Sequence, residues 1–335
     1  MKKIILAENK VNYGVFDELI DFNYNEFILQ DFFGGEITGL RRKFAIKNFN
    51  YFGFISDSYC IGFAVVSLGY VYNIFCYMYD FQKGMLFSYD TKGLDNNSDL
   101  KMEMDPDKHT ISFAKGKSRV QIEKSHLEKK IQLNIHLDAK LSIEAEIPFS
   151  LSKNKPLRVI NPSDPYRWTF TEKSAPLIPK NIHIRFQGEN LNTDSVGIVY
   201  DWTGGFLRRE TNWYWASLGN KKLNIGWNFA ALVNESYFSE NAYWVDGERT
   251  RIPRVIFDFS HQDPYKNWKL FDEDKNLEII FEPVGERREK MNVIFSKLFF
   301  RQFFGKFSGK LKTKNGKMKT FKDIWGFTEI HRSLW

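Results

Sequence analysis

Three acidic residues in the second half of the chain stand near large aromatic residues and are candidates for acid–base chemistry. Asp201 lies between Tyr200 and Trp202 after an apolar run, so a strand ending there would desolvate its carboxyl group and make it a general acid. The same residue is equally well explained as a turn aspartate before two glycines. Glu240 and Glu329 are the other candidates for proton transfer.

Two tryptophans, Trp213 and Trp215, are two residues apart and therefore share one face of a predicted strand. Arg209 and Thr211 have the same parity. Two indoles and a guanidinium on one wall would suit an apolar ligand, a sugar ring or a developing cation. A structural arginine–tryptophan ladder in the core explains the pattern equally well.

The segment that begins at Glu240 predicts a further charged and aromatic strand. Glu240 and Trp244 share a face in it, and Glu240 either pairs with Arg209 or acts as a base. Asn241 and Trp244 are candidate substrate contacts. The Asp-Gly dipeptide that ends this segment is more simply a hairpin turn.

Glu329 and His331, near the end of the chain, also share a face. They could form an acid–base couple or half of a metal site. Because no second cluster of metal-ligating residues accompanies them, we expect no metal site. The sequence also has no phosphate-binding glycine loop, nucleophile elbow or paired-cysteine motif, so we expect no cofactor.

Five segments together resemble a bacterial family known as domain of unknown function 2804. They are FTEK at 170–173, YDWT at 200–203, RETNWYWAS at 209–217, ENAYWVDG at 240–247 and GFTEIH at 326–331. The family resembles, more distantly, the lipocalin-like carotenoid hydratase and related cyclase proteins. This resemblance implies two successive β-barrels and supplies no established activity. Trp202 stands where the family leads us to expect a tyrosine, which weakens a mechanism that uses a phenol there as the acid.

Apolar periodicity predicts sheet throughout the chain. In residues 131–149 every odd-numbered residue is apolar, a spacing that a helix cannot place on one face. It predicts either one long bent strand or two strands joined in register, with the odd-numbered side chains buried. Residues 44–55 and 59–81 are apolar on both faces, which predicts a sheet covered on both sides. Residues 291–304 favour strand, and a short helix is expected within residues 16–33.

The chain has 335 residues, more than one typical domain of about 100–200. All nine tryptophans lie in the second half, and the proline-containing segment 175–179 is the expected boundary. We expect an all-β protein of two successive antiparallel lipocalin-like β-barrel or sandwich halves with few short helices. Residues 1–174 would form the N-terminal domain, and residues 175–335 the C-terminal domain that carries the aromatic ligand site.

The net charge of +7 owes much to seven lysines between residues 306 and 322. This segment is either a patch for an anionic surface or, more simply, a solvated hairpin around Asn315-Gly316. No nucleic-acid-binding motif and no apolar run of membrane-helix length occur, and Glu8 interrupts the short apolar start. Cys60 and Cys76 are expected to be buried free thiols. We therefore expect a cytoplasmic protein whose partner is a small molecule.

These features favour a cavity that performs cofactor-independent acid–base chemistry, as a hydratase, isomerase or cyclase, on a small hydrophobic molecule. Two alternatives use the same residues. One is a non-catalytic, lipocalin-like ligand-binding protein, and the other is a glycoside hydrolase that uses paired carboxylates on a sugar. An unpaired carboxyl group facing a ligand-sized cavity would favour catalysis, whereas a fully salt-bridged set would favour binding.

Overall fold

A computed structural model describes residues 1–96, 98–233, 237–293 and 296–334. Strands account for 63% of it and helices for 5%, which confirms the all-β prediction. The helices are two short 3-10 helices, Ala7–Asn9 and Tyr24–Glu26, and two α-helices, α1 (Gly39–Ala45) and α2 (Leu151–Asn154). The short helix expected within residues 16–33 is the 3-10 helix Tyr24–Glu26, and the other three helices lie outside that segment.

The strands of the first two thirds of the chain are β1 (Lys2–Lys3), β2 (Gly14–Val15), β3 (Ile20–Asp21), β4 (Ile46–Ile55), β5 (Tyr59–Ser67), β6 (Val71–Asp80), β7 (Gly84–Leu94), β8 (Leu100–Met102), β9 (Lys108–Lys115), β10 (Ser118–Ser125), β11 (Lys130–Leu137), β12 (Leu141–Pro148), β13 (Leu157–Asp164), β14 (Arg167–Leu177), β15 (Asn181–Phe186), β16 (Glu189–Asn190) and β17 (Gly197–Phe206). The remaining strands are β18 (Glu210–Asn220), β19 (Ile225–Ala231), β20 (Ala242–Val245), β21 (Glu248–Arg251), β22 (Ile256–Asp258), β23 (Trp268–Phe271), β24 (Leu277–Val293), β25 (Ser296–Lys312) and β26 (Met318–Leu334).

Three large sheets organise the molecule, and a small parallel pair of β1 and β3 accompanies them. The outer sheet has the order β16-β15-β12-β11-β10-β9-β8, and the central sheet has the order β2-β13-β14-β17-β4-β5-β6-β7. The C-terminal sheet has the order β21-β20-β19-β18-β26-β25-β24-β23-β22. Neighbouring strands within each of these sheets run antiparallel, as expected from the alternating patterns.

The central sheet is covered on both faces. Phe52 and Phe63 pack into a core shared with the outer sheet, whereas Tyr51 and Ala64 pack into a core shared with the C-terminal sheet. This confirms the two-sided burial predicted for the segments around β4, β5 and β6. Because successive side chains of a strand point to opposite faces, each of β4, β5, β6, β13, β14 and β17 contributes to both cores, whereas the edge strand β7 contributes only to the core shared with the outer sheet.

Residues 131–149 form two strands joined in register, β11 and β12, rather than one bent strand. The odd-numbered side chains are buried, with the single exception of Ala139. Asp138 and Ala139 adopt left-handed backbone angles, with φ of 49° and 54°, in the turn between the strands. Leu137 pairs with Leu141 across this three-residue turn, so the turn preserves the alternation.

Several local predictions are confirmed. Asp246 and Gly247 form the turn between β20 and β21, with φ of 53° and 80°. The lysine-rich segment is the hairpin of β25 and β26, and Lys314 at its tip pairs with Glu248 at 2.8 Å. Cys60 and Cys76 are buried free thiols. The strand predicted over residues 291–304 is found in β24 and β25, with residues 294–295 outside the described part of the chain.

The predicted domain boundary at residues 174/175 does not match the sheets. It falls inside β14, and β17, which lies wholly beyond it, pairs with β14 and with β4 in the central sheet. The proline-containing segment 175–179 includes the irregular end of a strand, where the register with β17 shifts between Ser174 and Leu177, so it is not a linker. We propose that the halves divide between β17 and β18 instead.

Candidate functional site

A cavity of about 610 Å³ lies between the central sheet and the C-terminal sheet. Side chains from β4, β5, β6, β14 and β17 line it on one side, and side chains from β18, β24, β25 and β26 line it on the other. The sequence predicted an aromatic site within the second half alone. The cavity instead lies where the two halves meet, because the central sheet directs one face of each strand toward the C-terminal sheet.

Asp201 lies in the cavity wall because of its parity on β17. Its neighbours Tyr200 and Trp202 point the opposite way and are buried in the core shared with the outer sheet. The aromatic residues that flank Asp201 in sequence therefore do not desolvate its carboxyl group. Lys173, which lies opposite Asp201 in register on β14, sets its environment instead.

Lys173 holds two of the predicted carboxylates. Its Nζ lies 2.5 Å from Asp201 Oδ2 and 3.4 Å from Glu240 Oε2, and its side chain is 7% exposed. Burial lowers the pKa of Lys173, but the charges of Asp201 and Glu240 outweigh it and raise this pKa above its ordinary value. Glu240 was expected to pair with Arg209 or to act as a base, and the structure pairs it with Lys173.

Glu329 is the third predicted carboxyl group, and its partners are neutral. Gln302 lies opposite it on β25 and donates from Nε2 to Oε1 at 2.7 Å. Trp213 Nε1 donates to Oε2 at 3.1 Å. The pKa of Glu329 is raised to about 8. Burial is the main cause of the higher pKa and the charge of Asp201 adds to it, whereas the hydrogen bond from Trp213 acts in the opposite direction. The Glu329 carboxyl group is therefore mostly protonated at neutral pH.

His331 lies flat against Trp213, with ring centroids 3.5 Å apart and planes inclined by 6°. The two residues are opposite each other on β26 and β18, and both line the cavity. Burial lowers the pKa of His331 to about 3, so its imidazole is neutral. The parity that predicted a shared face for Glu329 and His331 places both side chains in the cavity wall.

The rest of the cavity wall is largely aromatic and aliphatic. Trp215 lines it and is fixed by a hydrogen bond from its Nε1 to Asn228 Oδ1 at 2.7 Å. Arg287 lies 4.7 Å from the Phe75 ring and 5.2 Å from the Phe300 ring and is paired with Glu289 at 3.0 Å. The wall also includes these apolar residues: Ala64, Val66, Leu68, Val71, Leu207, Val233, Met291 and Leu298.

Three predicted ligand contacts lie elsewhere. Arg209 is exposed and borders a separate depression, because β18 begins only at Glu210 and the strand parity does not extend to residue 209. Asn241 Oδ1 accepts the backbone N–H of Ala230 at 2.6 Å. Trp244 is buried and donates from Nε1 to the carbonyl of Lys155 at 3.0 Å. None of the three is among the described residues that line the cavity.

The model of the family described as "Domain of unknown function (DUF2804)" matches residues 21–335. The chain belongs to this family. No curated protein is similar in sequence to the chain.

Solved structures with the same fold share little of the sequence. The crystal structure of CghA has a TM-score of 0.53 and 7% identity, and the match covers 100% of this chain and 97% of that chain. CghA with Sch210972 has a TM-score of 0.53 and 8% identity over 87% of this chain and 88% of that chain. Kievitone hydratase from Nectria haematococca has a TM-score of 0.51 and 10% identity over 86% and 88%. These likenesses confirm the lipocalin-like fold.

All five family segments contribute side chains to the cavity. They supply Lys173 from β14, Asp201 from β17, Trp213 and Trp215 from β18, Glu240 from the residues before β20, and Glu329 with His331 from β26. Trp202, the departure from the expected tyrosine, faces the other core. A tyrosine at that position would therefore not reach the cavity either.

Several polar residues of the site were not predicted from the sequence, among them Lys173 and Tyr51. Lys173 is in the FTEK segment, but a lysine is usually solvent-exposed, and only the pairing of β14 with β17 shows its partner. Tyr51 lines the cavity, and its hydroxyl lies 2.8 Å from that of Tyr77. Burial raises the pKa of Tyr51 well above its ordinary value, so the phenol is neutral. The alternation of side chains along β4 could have identified Tyr51, because it faces away from Phe52.

A possible metal-binding group lies outside the cavity. Ligand atoms of Asp107, His126 and Glu172 lie within 4.8 Å of one another in the core between the outer and central sheets. Arg158 Nε is 2.9 Å from Glu172, and Lys124 also pairs with Glu172. Two cations therefore balance the two carboxylates, a charge balance that favours a buried ion network over a metal site.

Proposed function

We propose that this protein is an enzyme that performs acid–base chemistry on a small hydrophobic molecule, with Glu329 as the proton donor. The observation that carries the proposal is the state of Glu329. It lies in the wall of a ligand-sized cavity, it is held by neutral N–H donors, and burial raises its pKa to about 8. A carboxylic acid that keeps its proton at neutral pH is suited to general-acid catalysis.

The proposed reaction begins with transfer of the Glu329 proton to a carbon–carbon double bond or to an oxygen of the substrate. The faces of Trp213 and Trp215 stabilise the positive charge that develops. Water, or a nucleophilic group of the same substrate, then adds to the cationic carbon, and a carboxylate accepts the proton that this addition releases. Asp201, which lies in the same wall and is oriented by Lys173, is our candidate for that base. Hydration and cyclisation follow this scheme, and in an isomerisation the carboxylate instead removes a proton from the carbon next to the cationic one.

The structural neighbours are consistent with a small-molecule site. One is named as a hydratase, and another is solved with the small molecule Sch210972. At 7–10% identity these likenesses show the fold alone. The support for the reaction class is therefore the cavity of this chain.

A non-catalytic ligand carrier is the second candidate. The observation that favours it is the pairing of Asp201 and Glu240 with Lys173, which leaves these two carboxylates compensated beside an apolar wall. Glycoside hydrolysis has less support, because its two carboxyl groups must flank a sugar bond. Asp201 and Glu240 instead meet at one ammonium group.

The test has two steps. Native mass spectrometry of the purified protein, after exposure to a metabolite extract, identifies the retained compound. That compound is then incubated with the protein in deuterium oxide. We expect wild type to incorporate solvent deuterium into a product and Glu329→Gln to bind the compound without converting it.

The control is Glu144→Gln, the same chemical change at an exposed position of the outer sheet, which should react like wild type. A compound that wild type binds and releases unchanged would contradict catalysis and support the carrier. Normal turnover by Glu329→Gln would contradict the role of Glu329.

A further inference from the structure

Residues 28–44 expose an unusual number of large apolar side chains. Phe32 is 85% exposed, Phe33 93% and Leu40 69%, and Ile28 and Phe44 are also exposed. Isolated exposed apolar residues are common, but a concentration of them indicates an interaction surface. We call these five residues together with Arg41 and Lys43 the apolar–basic surface.

The loop that carries Phe32 and Phe33 has a fixed structure. Asp31 Oδ1 accepts the backbone N–H groups of Phe33 and Gly35, each at 2.9 Å. Gly34 has a φ of 85°, which a residue without a side chain adopts readily. The two phenyl rings contact each other edge to face, with centroids 5.3 Å apart. An ordered turn thus presents the rings to solvent, so their insertion into another surface would cost little conformational entropy.

Helix α1 provides the basic part of this surface. Leu40 and Phe44 are four residues apart and lie on the same side of the helix. Arg41 and Lys43 are exposed beside them, and the helix contains no acidic residue. Arg42 is directed inward and donates to the carbonyl of Tyr24 at 3.0 Å. Apolar side chains flanked by arginine and lysine are the combination that anionic lipid surfaces attract.

The surface lies beside the cavity. Phe44 contacts the ring of Tyr70, with centroids 5.5 Å apart, and Tyr70 lines the cavity. Lys47 Nζ donates to the carbonyl of Leu68, another cavity residue, at 2.8 Å. The C-terminal end of α1 is therefore attached to the turn between β5 and β6 that forms part of the cavity wall.

We propose that the apolar–basic surface docks on the face of an anionic lipid bilayer. The phenylalanine rings enter the interface between headgroups and acyl chains, and Arg41 and Lys43 contact the anionic headgroups. This docking places the cavity next to the bilayer, which is where a hydrophobic molecule accumulates. None of the helices in the described part of the chain has both the length and the apolar character that a membrane crossing requires. The contact that we propose is peripheral, and it does not depend on the catalytic proposal.

Co-sedimentation of the full chain with vesicles tests this proposal. We expect wild type to bind vesicles of phosphatidylcholine with phosphatidylglycerol more tightly than vesicles of phosphatidylcholine alone, and to lose this preference at high salt. Replacing both rings, in Phe32→Ser with Phe33→Ser, should weaken binding by roughly tenfold or more, because each exposed ring loses its burial in the bilayer. Arg41→Glu with Lys43→Glu should abolish the preference for the anionic lipid.

Leu127→Ser is the matched control, because Leu127 is 75% exposed in the turn between β10 and β11. It should bind vesicles like wild type, and all variants should keep the wild-type melting temperature. Failure of wild type to bind either vesicle, or equal binding by the double phenylalanine variant, would overturn the proposal. The proposal would also be overturned if sedimentation velocity showed that wild type is a dimer and that the double phenylalanine variant is a monomer, since a second copy of the chain would then cover the surface.

Discussion

Replacing Glu329 by glutamine should change how the stability of the protein depends on pH. The folded state raises the pKa of Glu329 to about 8 from an ordinary value of 4.5. The folded protein therefore holds a proton that the unfolded chain has already lost over this range, and the free energy of unfolding falls as the pH rises. The fall is about 1.4 kcal/mol for each pH unit, or on the order of 5 kcal/mol in total.

The glutamine side chain does not titrate, so Glu329→Gln removes this dependence. Both carboxyl oxygens of Glu329 accept a hydrogen bond, from Gln302 and from Trp213, and an amide nitrogen cannot accept either one. One buried donor is then left unsatisfied, at a cost of about 1–3 kcal/mol. The variant should be less stable than wild type near pH 5 and more stable by a few kcal/mol above about pH 8.

Urea denaturation at a series of pH values measures this effect directly. The contributions of the other titrating groups cancel in the difference between the two proteins, as long as the substitution leaves them in place. The difference should grow in favour of the variant between about pH 5 and pH 8 and then level off. A difference that stays constant over this range, or that grows in favour of wild type, would refute the protonation state assigned to Glu329.

Three further predictions concern Lys173, Trp213 and the two cysteines. Lys173→Met leaves the buried Glu240 and the partly buried Asp201 without their cation and should lower the free energy of unfolding by about 3–5 kcal/mol. The control Arg209→Met, at an exposed residue, should change it by less than about 0.5 kcal/mol, and equal losses for the two variants in urea denaturation would contradict the ion pairing of Lys173. Trp213→Phe removes a hydrogen bond that lowers the pKa of Glu329. The free energy of unfolding of this variant should therefore stop falling at a higher pH than that of wild type, and a lower pH would count against the role of that bond. Burial raises the pKa of both cysteine thiols, so they should react with a thiol reagent only after unfolding; fewer than two reactive groups in denaturant without reductant would disagree.

The local folding of the strands was predictable because alternation is a local property. The odd-numbered residues of 131–149 are buried as expected except for Ala139 in the turn, and the same rule placed Trp213 and Trp215 in one cavity wall. The rule failed where a strand had not yet begun. Arg209 precedes the first residue of β18, and Glu240 precedes β20. Strand alternation does not extend to these two residues, so the faces predicted for them were wrong.

The position of the cavity was not predictable from local patterns, because it depends on pairing between distant segments. β17 lies beside β4 in the central sheet, although residues 56–196 separate them in sequence. This pairing places Tyr51 opposite Asp201, and the pairing of β14 with β17 places Lys173 opposite the same residue. Asp201 was selected as a candidate acid because of its aromatic neighbours in sequence, but these face the other core. Lys173, which forms its ion pair, lies on another strand.

The most direct test of the account is the titration of the Glu329 carboxyl group itself. Carbon-13 NMR of protein with labelled glutamate side chains resolves the carboxyl resonances, and the Glu329→Gln variant assigns the one that disappears. We predict that this resonance titrates near pH 8, where burial places the pKa of Glu329, and that a bound ligand shifts it. A Glu329 resonance that titrates near the ordinary value of 4.5 would contradict the proposed proton donor.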